Sequence, residues 1–264
     1  MPESCPETLL LLAERLADAA RAEVRPHYRS KLAVEDKPDA TPVTLIDRAA
    51  EAAMRRLIEA EAPAHGVVGE EYGRDRPDAE FVWVLDPIDG TKRFITGSPL
   101  FGTLIALLQD GRPLLGVIEM PALEERWIGA RGHPSLHRDR DGDRPVAVQA
   151  CGSLDAATLS ASSPHMFEGV DAEAFDRLRR AVKLPLYGGD CYSYAMVAEG
   201  LLDLVVEADM SPYDYLAQVP LIEGAGGVMT DWQGQPLGLE SDGRVAAAGD
   251  SAVHAAALER LAGD

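Results

Sequence analysis

Basic residues are scarce in this chain. Lysine and arginine total 25 against 44 aspartates and glutamates, and the net charge is −19. Such a surface repels nucleic-acid phosphates and anionic lipid, so neither a nucleic acid nor a membrane is an expected partner. A small phosphate ester stays open as a ligand, provided that cations are recruited first. Cysteine is almost absent: Cys5, Cys151 and Cys191 are far apart, odd in number and form no Cys-x-x-Cys pair. That argues against a disulfide framework or a zinc cluster. No apolar run approaches the ~18 residues of a membrane span. The Leu9–Leu12 cluster is too short for a signal-peptide core and lacks a preceding basic segment, so a cytoplasmic location is expected. There is no internal repeat. No Cys-x5-Arg or Ser-His-Asp pattern offers a protein nucleophile, and the six histidines lack ligand-like spacing.

What is present is an ordinary globular composition over 264 residues, 46% hydrophobic and 26% charged, enough for a substantial core. The pattern predicts a helix over Pro6–Glu23, with a Ser4/Glu7 capping box and an apolar face of Leu9, Leu12, Ala13, Leu16 and Ala20. A second helix is expected at Leu45–Glu61. Strand signals follow at Gly66–Gly69, Phe81–Leu85, Gly102–Leu108, Pro113–Met120 and Arg126–Ala130, the last three as an antiparallel meander. His133–Arg144, rich in Arg, Asp, Gly and His, reads as an exposed loop. Its Asp139, Asp141 and Asp143 imitate a calcium loop, but Arg144 stands where glycine is needed and Ala150 where the closing glutamate is needed.

The second half alternates strands and helices. Strands are expected at Thr158–Ser162, near Leu186, at Leu202–Glu207 and at Val245–Ala248. Helices are expected at Ala172–Val182, Tyr192–Glu199, Tyr213–Gly224 and Ala252–Leu261. Interleaving of this kind argues for a layered α/β architecture, mixed α+β, in two joined halves: residues 1–145 and 146–264.

The most informative segment is Trp83-Val84-Leu85-Asp86-Pro87-Ile88-Asp89-Gly90-Thr91. An apolar strand ends in two carboxylates three positions apart. Pro87 removes an amide donor, Gly90 permits a tight turn and Thr91 opens a short helix. Hard oxygen donors beside a helix N-terminus suit Mg²⁺ and phosphate together. The same segment also reads as a plain Asp-Gly turn. Further acidic residues stand at element ends: Glu70 and Glu71 after the strand Gly66–Gly69, and Asp214 after Ser211-Pro212. Asp47, three residues after Thr44, fits a helix cap as well as a catalytic role.

Together, Gly69-Glu70-Glu71, Trp83 to Thr91, and Asp214 with Glu223-Gly224-Ala225-Gly226-Gly227 resemble the signature regions of the inositol monophosphatase superfamily. Lys37 with Pro42-Val43-Thr44 and Asp47 resembles its N-terminal region, and the likeness runs over about residues 9–261. It implies a layered αβαβα sandwich, a homodimer, and two or three Mg²⁺ ions per site. Glu70, Asp86 and the Ile88 carbonyl would hold one ion, and Asp86, Asp89 and Asp214 a second. Most metal ligands would thus lie in the N-terminal half and the last one in the C-terminal half. Glu70, Thr91 and Asp47 would be catalytic, with Thr91 oriented by Asp47 to hold the attacking water. The Gly90 and Thr91 amides would hold the phosphate. Lys37 would sit near it on a loop, Glu35–Val43, that reaches over the site.

The stretch from Ile88 to Leu107, Tyr187-Gly188-Gly189-Asp190-Cys191-Tyr192, and Val206-Glu207-Ala208 with Pro212-Tyr213-Asp214-Tyr215 resemble the histidinol-phosphate phosphatase branch. The implied activity is hydrolysis of L-histidinol phosphate, a step of histidine biosynthesis. Asp89, Gly90, Thr91, Asp190, Glu207 and Asp214 would bind substrate. By position alone Asp190 also reads as a helix N-cap, and Glu207 as a solvated strand end. The rival readings are an inositol-1-phosphate or broad sugar-phosphate phosphatase and a catalytically silent binding homologue.

Overall fold

The computed structural model describes residues 4–30, 34–36 and 42–263. Helix α1 is Glu7–Val24, its buried face set by Leu12, Ala13, Leu16, Ala17, Ala20 and Val24. Pro6 is its N-cap, so Ser4 lies too far back to cap, and its hydroxyl instead meets His133 Nε2 at 3.2 Å. The expected capping box is therefore absent. Strands β1 (Val34–Asp36) and β2 (Pro42–Thr44) pair antiparallel, where the sequence suggested only a loop. Lys37, Pro38 and Asp39 lie outside the described residues, and so does the expected reach of that loop over the site. Helix α2 follows at Leu45–Glu61.

An eight-stranded sheet comes next. Its strands are β3 (Gly66–Gly69), β4 (Gly73–Asp75), β5 (Phe81–Asp89), β6 (Gly102–Gln109), β7 (Arg112–Met120), β8 (Glu125–Ala130), β9 (Leu136–Asp139) and β10 (Gly142–Pro145). They lie in the order β10-β9-β8-β7-β6-β5-β3-β4, and only β3 and β5 run parallel. The short helix α3 (Thr91–Thr96) leaves the end of β5. Asp110 and Gly111, both at positive φ, make the tight β6–β7 turn that the Asp-Gly pair suggested.

Residues 133–144 are not a loop, because β9 and β10 form a hairpin on the sheet edge. Arg138 there ion-pairs with Glu14 and Asp143, and Arg144 with Glu199. The His137 ring stacks on Trp127 with centroids 4.3 Å apart. Glu14 and Glu199 are distant in the sequence, which is why a polar, glycine-containing stretch read as solvated.

The second sheet contains β11 (Thr158–Ala161), β12 (Leu184–Tyr187), β13 (Leu204–Glu207), β14 (Val228–Thr230) and β15 (Val245–Ala248), in the order β12-β11-β13-β15-β14. Its helices are α4 (Gly169–Arg179), α5 (Cys191–Ala198), α6 (Pro212–Tyr215), α7 (Gln218–Gly224) and α8 (Ser251–Ala262). The single helix expected over Tyr213–Gly224 is thus two. Pro220 has no amide to give the Leu216 carbonyl and crowds it, so the helix breaks upstream.

The layers follow from the contacts. Helices α1 and α2 cover the outer face of the large sheet, α5 and α7 lie between the sheets, and α4 and α8 cover the small sheet. That is the expected αβαβα sandwich. One apolar core joins Val84 and Leu104 of the large sheet, Tyr194 and Leu221 of the middle helices, and Val205 and Ala247 of the small sheet. Helix α7 rests directly on backbone. Gly116 and Gly129 face each other across β7 and β8. A Cβ at Gly116 would come 1.8 Å from the Ala217 carbonyl oxygen, and one at Gly129 2.2 Å from Leu221 Cα. Among the described residues, no helix is long and apolar enough to cross a membrane.

Candidate metal and phosphate site

Strand β5 carries the centre of the site. It runs on past Leu85 to Asp89, with a register shift against β6 between Asp86 and Asp89. Pro87 has no amide for the ladder, and its carbonyl accepts the buried Thr103 hydroxyl at 2.7 Å. The bulge turns both aspartates toward Asp214 of α6. One carboxylate oxygen from each of Asp86, Asp89 and Asp214 lies within 4.8 Å of the other two.

Asp86 is 2% exposed, and its Oδ1 has no hydrogen-bond partner among the described residues. Burial pushes its pKa well above the usual carboxylate range, and the charges of Glu70, Asp89, Asp214 and Asp47 add to that. Asp89 is pushed up to about 7, first by burial and then by Asp190, against the Cys191 hydrogen bond. Asp214 is raised by burial and by Asp89, against the Ser211 amide. A buried oxygen with no donor, inside three crowded hard-oxygen ligands, fits a divalent cation of the Mg²⁺ type.

The other expected residues are placed as follows. Asp47 is buried in the first turn of α2, and its charge acts on Asp86. The Thr91 hydroxyl donates to the Ile88 carbonyl at 3.1 Å rather than to Asp47, which corrects the expected pairing. Gly90 has φ +78°, a conformation that suits glycine, and is the N-cap of α3 at the wall of a cleft of about 570 Å³. Glu70, Gly90, Thr91 and Asp190 line that cleft. Glu70 stands outside the three-aspartate cluster, although its charge reaches Asp86.

Asp190 occupies the N-cap position of α5, but its side chain makes no capping hydrogen bond. Its backbone sits at φ +46° and its Oδ2 takes Arg93 Nε at 2.8 Å. The cap comes from the other half of the chain: Asp89 Oδ2 accepts the Cys191 amide at 2.9 Å. Glu207 is not a solvated strand end, since it is only 1% exposed. Its Oε1 accepts both the amide and the hydroxyl of Ser162, and its Oε2 accepts the Tyr194 hydroxyl. It stands behind the cleft wall rather than among the lining residues.

Three contributors escaped the sequence reading. Glu51 of α2 is fully buried and accepts the amides of Glu71 and Tyr72 at 2.7 and 3.3 Å, with Arg55 Nε at 2.7 Å. It holds the turn that presents Glu70. Gly69 makes room for it, since a Cβ there would meet Glu51 Oε1 at 2.0 Å. Arg93 and Ser162 line the cleft. A charged residue on the inner side of α2 was the available signal for Glu51. For Ser162 it was a polar residue just past a strand end, at the same edge as Glu207. Glu51→Ala is expected to cost about 3 kcal/mol of unfolding free energy or more, because it strips two amides and a guanidinium of a charged acceptor. Urea unfolding checks this, and unchanged stability would mean that the turn holds itself.

Comparison with known proteins gives these elements a family. A profile of the inositol monophosphatase family matches residues 6–263. The chain is 48% identical over 255 residues to the bifunctional phosphatase IMPL2, chloroplastic, of Arabidopsis thaliana, covering 93% of this chain and 72% of that protein. It is 39% identical over 229 residues to the histidinol-phosphatase of Mycobacterium tuberculosis, covering 85% and 88%. Among solved structures it matches an inositol monophosphatase from Zymomonas mobilis with a TM-score of 0.90 and 45% identity, over 98% of this chain and all of that one. With the layered fold and the aspartate cluster at the end of β5, the chain belongs to the inositol monophosphatase family of phosphatases.

Proposed function

We propose that the protein hydrolyses L-histidinol phosphate to L-histidinol and phosphate with two or three Mg²⁺ ions. The observation that carries the substrate is the position of Asp190. Its carboxylate lines the same cleft as Gly90 and Thr91, and lies 3.5 Å from where a Gly90 Cβ would be. An ester whose phosphate sits at the head of α3 would bring its leaving group near this acid. Histidinol carries an ammonium and an imidazole, whereas inositol offers only hydroxyls.

Asp86, Asp89, Asp214 and Glu70, with the Ile88 carbonyl, would hold the ions. Bound there, Mg²⁺ supplies charge neutralisation of the ester, acidification of water and stabilisation of the departing alkoxide. The chain's own groups do the rest. The Gly90 and Thr91 amides orient the phosphate at the head of α3. Thr91 Oγ1 positions the attacking water, and a carboxylate, Glu70 or Asp47, takes up its proton. Asp190 orients the leaving group once its ammonium displaces Arg93. Cys191 meets Asp89, but it is buried and burial pushes its thiol well above the usual range, which disfavours it as a nucleophile and favours direct attack by water.

A phosphate-release screen with Mg²⁺ across histidinol phosphate, inositol 1-phosphate, fructose 1,6-bisphosphate and adenosine bisphosphate tests the reading. Histidinol phosphate should give the highest kcat/KM. Asp190→Asn should lower it at least about tenfold, the worth of one charge-assisted contact, with a smaller loss on glycerol phosphate. Preference for inositol phosphate would overturn the substrate and leave the metal chemistry standing. That second reading draws support from the likeness to an inositol monophosphatase of known structure. A silent binding homologue is disfavoured, because Glu70, Asp86, Asp89, Thr91 and Asp214 are all present. A cytoplasmic homodimer belongs to the same proposal, and sedimentation would check the dimer.

A further inference from the structure

We infer that Thr103 is a positioning residue for the metal site: its hydroxyl fixes the β5 bulge that puts Asp86 and Asp89 on one face of the sheet. This rests on the Mg²⁺ reading above and is independent of which ester is hydrolysed. Side chains alternate along a strand, so residues three apart ordinarily face opposite ways. Asp86 and Asp89 do not. Asp86 pairs with Leu104 and Asp89 with Gly102, so two residues of β5, Pro87 and Ile88, stand against Thr103 alone. Leu104 and Gly102 are two apart and share a face, and their partners Asp86 and Asp89 share it with them. Without the extra residue, one carboxylate would turn to the face that α1 and α2 cover.

The residue opposite the bulge is unusual for its place. Phe101, Ile105 and Leu107 belong to the apolar cluster beneath α1 and α2, with Ile88 beside them. Thr103 falls on their face by alternation, is fully buried, and brings a hydroxyl where the pattern calls for an apolar group. A buried hydroxyl costs stability unless it is bonded. This one donates to the Pro87 carbonyl at 2.7 Å. Pro87 has no amide to offer the ladder, so a side-chain bond holds the strand at the residue where backbone pairing is interrupted. The bond also works against a force. The like charges crowded at Asp86, Asp89 and Asp214 push the bulge apart when no cation lies among them. With the hydroxyl gone, fewer molecules keep the metal-ready shape, and the apparent Mg²⁺ affinity falls by that fraction.

The test measures Mg²⁺ binding by calorimetry, and Mg²⁺-dependent hydrolysis of p-nitrophenyl phosphate, on the parent, Thr103→Val, Thr103→Ala and Thr103→Ser. Valine keeps the shape and drops the hydroxyl, whereas serine keeps the hydroxyl. Thr103→Val and Thr103→Ala should bind Mg²⁺ at least about fivefold more weakly, the worth of one buried hydrogen bond. Their kcat at saturating Mg²⁺ should stay within about threefold of the parent's, because bound metal restores the bulge. Thr103→Ser should bind Mg²⁺ as the parent does. A purely structural role would lower the melting temperature and leave Mg²⁺ affinity where it was. Thr103→Val or Thr103→Ala with the parent's affinity would overturn the inference, as would a Thr103→Ser protein as weak as Thr103→Ala. If Thr103→Val does not fold, the comparison of Thr103→Ala with Thr103→Ser carries the test, since those two differ by the hydroxyl alone. A parent that binds no Mg²⁺ would overturn the metal reading and this one with it, whereas normal binding by Thr103→Ala removes only the role of Thr103.

Discussion

Replacing Asp86 with asparagine is expected to remove Mg²⁺-dependent phosphate release while stabilising the metal-free protein. Asp86 is the buried member of the three-aspartate cluster and the one with an oxygen that no described group satisfies. An amide in its place keeps the shape and loses the charge that would hold Mg²⁺. Bound metal would supply several kcal/mol of transition-state stabilisation, so activity should fall on the order of 10³-fold or more.

The stability change has the opposite sign, because the cluster repels itself. Asp86, Asp89 and Asp214 all have folded-state pKa values raised above the unfolded carboxylate range, Asp89 to about 7. A group raised in this way favours folding below the unfolded pKa. It loses that contribution as pH rises through the folded pKa, so ionising the cluster costs the metal-free protein stability up to about pH 7 and beyond. His65 and His254, whose pKa values burial lowers, pull the other way in the same interval. The difference between parent and Asp86→Asn melting temperatures in chelator isolates the carboxylates. It should grow in favour of the variant from pH 5 to 8 and reverse when Mg²⁺ is added. A variant with near-normal turnover, or a difference flat in pH, would remove the basis for this metal site.

The second large effect lies away from the chemistry. Gly129→Ala is expected to destabilise the fold by about 3 kcal/mol or more and to weaken Mg²⁺-dependent activity. The added methyl would stand 2.2 Å from Leu221 Cα, and backbone in a packed helix cannot step aside as a side-chain tip can. Helix α7 would have to lift off the sheet. It is joined to α6 through Leu216 and Ala217, and Gln218 Nε2 donates to the Asp214 carbonyl at 2.7 Å. A lifted α7 therefore displaces Asp214. Gly152→Ala is the control: nothing lies within 4 Å of its Cβ position, and it should stay within about 0.5 kcal/mol of the parent. Urea unfolding and a Mg²⁺ titration of phosphate release read both effects. Gly129→Ala with the parent's stability would show that the close approach is not a constraint.

These two positions differ in how far the chain announced them. Asp86 stands in a stretch whose meaning is local: an apolar strand, two acids three apart, a proline, a glycine and a helix start. Gly116 and Gly129 look like ordinary strand glycines until a helix from far along the chain is laid on them. The same contrast runs through the site. Glu70, Asp89 and Asp214 were all legible at element ends. The cap that Asp89 provides to α5 was not, nor was Arg93 on Asp190, nor Glu51 under the Glu70 turn. The sequence reads Glu207 and Asp190 as substrate contacts; it does not announce their partners, Ser162 and Tyr194 on Glu207 and Arg93 on Asp190.

From the sequence came nearly every helix and strand of the core and the two aspartates at the end of β5, all of which depend on periodicity and on residues close together in the chain. The αβαβα order and the grouping of Asp214 with those aspartates came from the resemblance to a family. Tertiary structure alone decided the β9–β10 hairpin, the split of α6 from α7, and the partners of Thr91, Asp190, Glu207 and Ser162. The physical reason is that a hydrogen bond or an ion pair belongs to two groups at once. When the second group arrives from another layer, neither residue's own neighbourhood carries the information.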